Sequence, residues 1–227
     1  MIYKFDFSFL LQYWPELLRG VWLTLRMTLL SILPGFAVGT LCALGRIYGP
    51  VNLARAIKTY VELIRNTPLI IQVFWLFFGL SALHFRISAL AAAVIALVVN
   101  VSAYTAEIMR AGFEAIPKGQ LEAASCLAMS RRQMIWHIEL PQAVERVYPA
   151  LVSQFVLMML ATSIMSQISA DELTGAADLI QSFTFRGFEA YIVVAVIYLI
   201  IVSLMRLVML ASAAMLFPRL RALRSPL

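Results

Sequence analysis

Glu114 to Pro141 reads EAIPKGQLEAASCLAMSRRQMIWHIELP, the longest polar stretch in an otherwise apolar chain. Apolar runs flank it on both sides, so it projects from a membrane between two spans. Pro117 suits the first turn of a helix, where a missing N–H removes no intrahelical bond. Leu121, Ala124, Leu127 and Ala128 then recur at helical spacing. Ser130 followed by Gln133 has the spacing of a capping box and marks a second helix start, with Met134, Ile135 and Ile138 as its apolar stripe. Pro141 disfavours the helical conformation at Leu140 and is expected to stop that second helix. The stretch therefore predicts a helix, a turn and another helix, each with one apolar side that can lie against a partner or a lipid surface.

Composition sets the surroundings. The chain is 62% hydrophobic and 13% charged, against about 25% charged in an average soluble domain. Its 227 residues hold about five spans of about 20 residues each, which leaves no room for a separate soluble domain, and residues 1–227 read as one transmembrane domain. The net charge of +6 is spread over loops between apolar runs; this fits the excess of Lys and Arg on the inner side of a membrane and not a nucleic-acid partner. Cys42 falls in a span and Cys126 in the polar stretch, so the two are expected to stay reduced. The opening MIYKFDFSFLLQYWPELL lacks the charged start and smooth apolar core of a cleaved signal.

Outward from the polar stretch, the spans are expected near 20–44, 60–83, 87–106, 148–169 and 190–216. Residues 1–19, with Phe5, Phe7, Phe9, Tyr13 and Trp14, suit an interfacial segment. Arg26, inside the first span, should face protein or water. Gly35 and Gly39 form a GxxxG pair suited to close helix approach. Residues 46–58 read as a polar connection, and the segment with Asp171, Glu172 and Asp178 as a polar loop. One set of loops holds Arg46, Arg55, Lys58, Arg65, Arg110, Lys118, Arg131, Arg132, Arg146 and Arg206 together with the tail residues Arg219, Arg221 and Arg224; the other holds only Lys4, Arg19, Arg86 and Arg186. The richer set is expected on the cytoplasmic side, with the polar stretch and the C-terminus, and the N-terminus outside.

The residues now quoted carry a resemblance. Glu122-Ala123-Ala124 followed by Ile138-x-Leu140-Pro141 resembles the EAA motif of ABC-importer permeases, with Ala128 where the family usually has glycine. Residues 60–69, YVELIRNTPL, resemble the signature of the polar amino-acid branch, with Asn66 in place of a common glycine. Asn100 to Ile108, NVSAYTAEI, and Ile116 to Gln120, IPKGQ, look like the same branch. The resemblance covers about Gly20 to Leu210. It implies an all-α membrane protein with the type I importer permease fold: five transmembrane helices and a cytoplasmic coupling helix-turn-helix at about 114–141. It also implies an inner-membrane location, a second permease subunit, identical or not, two cytoplasmic ABC ATPase subunits, a periplasmic solute-binding protein and an amino-acid substrate or close derivative. On this reading Gly119, Leu121, Glu122, Ala123, Ala124, Leu127, Ala128, Arg131 and Arg132 meet the ATPase, the leucines and Ala124 as apolar anchors and the charges at the rim.

No GxxxxGK[ST] loop is present, so ATP and its magnesium would be held by the partner ATPase and this chain is expected to need no cofactor of its own. His84 and His137 fall on opposite predicted sides, which argues against a metal site, and no catalytic grouping can form on one side of the membrane. Polar groups within spans are the candidates for a solute path by default. These are Asn100 and Glu107 in the third span and Gln154, Thr162, Ser163, Ser166 and Gln167 in the fourth. The hydroxyl cluster from Thr162 to Ser166 is favoured, with interhelical hydrogen bonding as the alternative. Many family members carry a lysine and an acid before this Thr-Ser pair; Leu160 and Ala161 stand there instead. The competing classes are a self-sufficient secondary transporter, which would need paired ionisable groups at mid-membrane, and a purely structural membrane anchor.

Overall fold

A computed structural model describes residues 4–8 and 10–217. Phe9, and Arg219, Arg221 and Arg224 of the positive tail, lie outside the described residues. The helices are α1 (Leu10–Tyr48), α2 (Val51–Arg65), α3 (Leu69–Phe74), α4 (Leu80–Ala82), α5 (Ala89–Glu114), α6 (Lys118–Cys126), α7 (Arg131–Met134), α8 (Leu140–Ala161), α9 (Leu173–Thr184) and α10 (Gly187–Leu216). A π-helical turn, Trp75–Gly79, joins α3 to α4, another, Ile135–Glu139, joins α7 to α8, and a 3₁₀ segment, Thr162–Ile168, prolongs α8. Among the described residues four segments are long and apolar enough to cross a membrane: Leu11–Tyr48, Ala89–Glu114, Arg131–Ile168 and Gly187–Leu216. α2 with α3–α4 makes a fifth if that bent pair counts as one span.

The bent pair must cross. Arg46 at the end of α1 pairs with Glu107 near the end of α5 at 2.7 Å, so α1 and α5 run the same way. The chain between them therefore has to return through the bundle. α1 and α5 form the largest interface of the molecule, and the small-residue pair makes it possible. A Cβ on Gly35 would lie 2.6 Å from Val101 Cγ1, and one on Gly39 would lie 2.6 Å from Thr105 Cβ and 2.7 Å from the Ser102 carbonyl. The core is built on this contact, with Met27, Leu97, Val101 and Met109 fully buried.

Several sequence expectations are corrected. The aromatic N-terminal segment from Leu10 onward and the first span are one helix, α1. From Val51 the polar connection is helical and continues into the start of the expected second span as α2, whose Val61 is buried while Glu62 and Leu63 are exposed. The second span is not straight: its two halves meet at 105°. Pro68 is the cause, because its ring disfavours the helical conformation at Thr67, and α2 ends at Asn66. Pro141, in contrast, does not stop its helix. Leu140 is helical, with φ −61° and ψ −47°, and α7 runs through the π turn into α8. A π turn widens the helix by one residue, which gives room beside a proline ring. The polar loop beyond the fourth span is largely α9, which buries Leu173, Ala176, Ala177 and Ile180 against α1 and α10.

α9 starts on a buried carboxylate. Glu172 is fully buried; it accepts hydrogen bonds from the Gly175 N–H at 3.0 Å, the Tyr198 hydroxyl at 2.6 Å and the Thr24 hydroxyl at 3.5 Å. Burial raises its pKa above the ordinary 4.5, and the bonds from Tyr198 and the backbone N–H groups of Thr174 and Gly175 only partly offset this. At the same end of the bundle, Arg186 bonds both Asp6 and Glu189 at 3.2 Å and so holds the chain start to α10.

Candidate functional site

Two places among the described residues hold most of the expected site residues. The first is the hairpin of α6 and α7. Ser130 and Gln133 form the capping box expected of them: the Ser130 N–H donates to Gln133 Oε1 at 2.8 Å, and the Gln133 N–H to Ser130 Oγ at 3.4 Å. The turn before it is a Schellman motif. Met129 N–H reaches the Ala124 carbonyl at 3.2 Å and Ala128 N–H the Ser125 carbonyl at 2.9 Å. Ala128 adopts the left-handed conformation, φ 55°, that this motif demands. The turn that glycine usually makes is thus formed by alanine, at a strain of about 1 kcal/mol.

The hairpin's faces divide unevenly. Ala124 is buried and Leu121 packs on the chain's own core, whereas Leu127 stands 77% exposed. Trp136, 55% exposed, is the second outward apolar group. It shares a groove with Ser130, Arg132, Gln133 and His137. Glu122, Ala123 and Gly119 are exposed, and nothing lies within 4 Å of where a Gly119 Cβ would be. Arg132 points outward, but Arg131 is drawn inward. Its guanidinium lies 4.0 Å over the Tyr48 ring and 3.4 Å from Glu139 Oε1. Glu139 is 1% exposed and also accepts a hydrogen bond from the Tyr48 hydroxyl. This cluster fastens the root of the hairpin to the end of α1. Arg46, Glu107, Arg110 and Glu114 form a second ionic cluster at the same end.

The second place is a cavity of about 490 Å³ at the 105° bend. It is lined by residues 65–69 together with Asn100, Tyr104, Gln154, Leu157, Met158, Ala161 and Ile164. Helix ends buried in a bundle need partners for their free carbonyls, and here side chains provide them. Gln72 Nε2 donates to the Ile64 carbonyl at 2.8 Å and to the Thr67 carbonyl at 3.1 Å; the Thr67 hydroxyl donates to the Leu63 carbonyl at 2.9 Å. Asn100 Nδ2 donates to Gln72 Oε1 at 3.2 Å and ties α5 into the bend. Tyr60 adds a bond to the Val99 carbonyl at 2.8 Å.

Of the path residues expected from sequence, the fold brings Asn100 and Gln154 together in this cavity. It does not bring the others there. Glu107 belongs to the ionic cluster. Thr162, Ser163 and Ser166 lie in the 3₁₀ segment and donate to the carbonyls of Met159, Leu160 and Ser163 at 2.7, 2.7 and 3.0 Å. Ser163 lines a separate groove beside α10. Arg26 is exposed on α1 opposite the buried Thr24, Thr28 and Ser31, so this chain leaves it for a neighbour or for headgroups. Gln72, Trp136, Tyr48 and Glu139 were not singled out by sequence. The available signal was the polar run before Pro68 and the acid before Leu140-Pro141.

Comparison with known proteins agrees with this architecture. Residues 21–222 match the family described as binding-protein-dependent transport system inner membrane component. The nopaline transport system permease protein NocM of Agrobacterium fabrum is 34% identical over 218 residues, covering 91% of this chain and 90% of that protein. The glutamine transport system permease protein GlnP of Escherichia coli is 34% identical over 200 residues, covering 87% and 91%. A crystal structure of an amino acid ABC transporter with histidines superposes with a TM-score of 0.85 at 35% identity, over 93% of this chain and 99% of that one. With the five crossings and the capped hairpin beside them, these matches show that the chain belongs to the inner-membrane permease components of binding-protein-dependent transport systems, on the amino-acid branch of the ABC transporters.

Proposed function

We propose that this chain, paired with a second permease subunit, forms the path by which an amino acid or close amino-acid derivative enters a bacterial cell. Two cytoplasmic ATPase subunits drive the movement through the α6–α7 hairpin, and a periplasmic binding protein delivers the solute. The observation that carries the reading is the hairpin itself. Its turn and second helix are capped, its root is fastened by Arg131, Tyr48 and Glu139, and it offers Glu122, Leu127, Arg132 and Trp136 outward. A rigid, half-apolar helix on a fastened root can seat in a groove and pass the groove's displacement to the spans behind it. The excess of arginine and lysine at that end supports a cytoplasmic orientation, with the N-terminus outside. The opine and glutamine permeases among its relatives support the solute class.

Glu122 provides the test. It is exposed and forms no bond within this chain among the described residues, so a change there leaves the fold intact. In proteoliposomes holding the complete importer, Glu122→Lys is expected to lower ATP-driven uptake at least tenfold, by uncoupling hydrolysis or by blocking assembly. Uptake at the wild-type rate in the assembled variant would refute the role. Uptake driven by a proton gradient without the ATPase would favour a secondary transporter.

A further inference from the structure

α1 is longer than a membrane is thick. Its 39 residues rise about 58 Å, against a hydrocarbon layer of about 30 Å, so length alone leaves its depth open. Two arginines mark the depth. Arg46 belongs to the ionic cluster at the hairpin end. Arg26 stands 20 positions earlier, a rise of about 30 Å, and is the only charged residue between Val21 and Gly45. α5 marks the same plane. Val101 lies opposite Gly35 and Thr105 opposite Gly39, and that register sets Ser88, whose side chain caps the start of α5, level with Trp22. Just before Ser88 the chain is non-helical, with Phe85 and Arg86 exposed. The surface around Arg26 is ordered as a membrane boundary is. Trp22, one turn toward the N-terminus, is 68% exposed, and an amphipathic ring suits headgroup level. Leu29, Leu30 and Leu33, on the other side, are exposed and apolar. Arg26 itself is exposed and has no hydrogen-bond or ion-pair partner among the described residues. The only acid of α1 is Glu16, ten positions away. A bare guanidinium at that depth faces lipid phosphates, and its fork matches two phosphate oxygens.

We propose that Arg26, with Trp22 beside it, binds the phosphodiester of an anionic phospholipid in the leaflet on the side of the α1 N-terminus, and that this contact sets the depth of α1 and of the α5 packed on it. A headgroup with a neutral glycerol keeps its net negative charge for the arginine. The ammonium of an ethanolamine headgroup finds no carboxylate on α1 within two turns of Arg26. The leaflet is the outer one on the orientation given above; the lipid site itself does not depend on the importer reading.

The experiment uses the full chain in complex with its partner subunits. After delipidation in detergent, native mass spectrometry follows the binding of phosphatidylglycerol, phosphatidylethanolamine and inorganic phosphate. Expected are saturable binding of phosphatidylglycerol about tenfold tighter than of phosphatidylethanolamine, loss of that preference in Arg26→Gln, and its partial return in Arg26→Lys. Equal affinity for the two lipids, an Arg26→Gln complex that prefers phosphatidylglycerol as the wild type does, or displacement of the lipid by inorganic phosphate would each overturn the proposal. Depth is measured separately, in phosphatidylglycerol nanodiscs. Spin labels are placed by Leu18→Cys, Leu29→Cys and Leu33→Cys on a Cys42→Ser, Cys126→Ser background. The label at 18 should be relaxed by a water-soluble agent and those at 29 and 33 by oxygen. A label at 18 as deep as the one at 33 would overturn the assigned depth. Labels at 29 and 33 shielded from both agents would show that a partner subunit, not lipid, covers this face. If Arg26→Gln does not assemble, the wild-type lipid preference and the labels decide, and failure of either overturns the proposal.

Discussion

Pro68 and Pro141 each sit at an interruption of a helix, and they have opposite outcomes. At Pro68 the helix axis turns by 105°. At Pro141 the helix continues from Arg131 to Ile168 as one candidate span. Both remove an N–H, and both crowd the residue before them. The difference lies in what takes up the carbonyls the proline strands. At Pro68 the Ile64, Leu63 and Thr67 carbonyls are taken by Gln72 and Thr67 side chains, and Asn100 holds Gln72 in place. At Pro141 the turn before the ring widens to a π turn, and the buried Glu139 is gripped from two sides by Tyr48 and Arg131. At Pro68 the corner goes with side chains that cap the broken ends, and at Pro141 the continuous rod goes with a backbone that widens before the ring. The corner encloses a cavity; the rod carries the hairpin.

The comparison can be broken first at the rod. Glu139→Ala removes the acceptor for Tyr48 and the inward partner of Arg131, and should destabilise the chain by about 3 kcal/mol, reduced where Arg131 turns to solvent. Chemical denaturation in detergent would measure it. Unchanged stability would mean that the π turn alone keeps the rod straight. Next comes the corner. Gln72→Leu leaves the Ile64 carbonyl and the Asn100 amide without their partner, at about 2 kcal/mol, and should increase hydrogen exchange at residues 64–72. Exchange at the wild-type rate there would show that the corner holds without its side-chain cap.

A smaller gain is expected between the two. Ala128→Gly relieves the left-handed strain of the hairpin turn and should raise stability by up to about 1 kcal/mol; a fall would contradict the strain assigned to Ala128. The finest effect is in pH, at a helix start remote from both prolines. Glu172 has a raised folded pKa, so the folded chain holds that proton more tightly than the unfolded one. Its contribution is therefore fully present below the ordinary 4.5 and is lost as pH rises above it through the folded value. The melting temperature of wild type minus that of Glu172→Gln should fall from pH 4.5 toward pH 8. A flat or rising difference would show that the hydrogen bonds outweigh burial.

The hairpin was largely legible because its signals are local. Ser130 and Gln133 are three residues apart, and their bonds need nothing else. The Gly35 and Gly39 contact was legible for a similar reason: two small residues on one helix face leave few alternatives. The direction of Ala124, Leu127 and Arg131 was not legible, since helical spacing groups residues on a face without saying which partner covers it. The cavity was harder still. It joins residues 65–69, 100–104 and 154–164, and the corner that shapes it depends on Gln72 meeting Asn100, which are 28 positions apart. The hydroxyls of Thr162, Ser163 and Ser166 were the more conspicuous polar cluster, but a 3₁₀ segment lets each of them satisfy itself on the carbonyl three residues back.

α1 and α5 touch almost backbone to backbone at Gly35 and Gly39, so few rotamers at that seam can rearrange. A seam of that kind does not slide, and the two helices must travel as one raft. Asn100 and Tyr104 ride on this raft, so the cavity can widen or narrow only by shifts of α8 or of the corner at Pro68. A single added methyl at Gly35 would meet Val101 Cγ1 at 2.6 Å, and one at Gly39 the Ser102 carbonyl at 2.7 Å, so either would push the two halves of the raft apart.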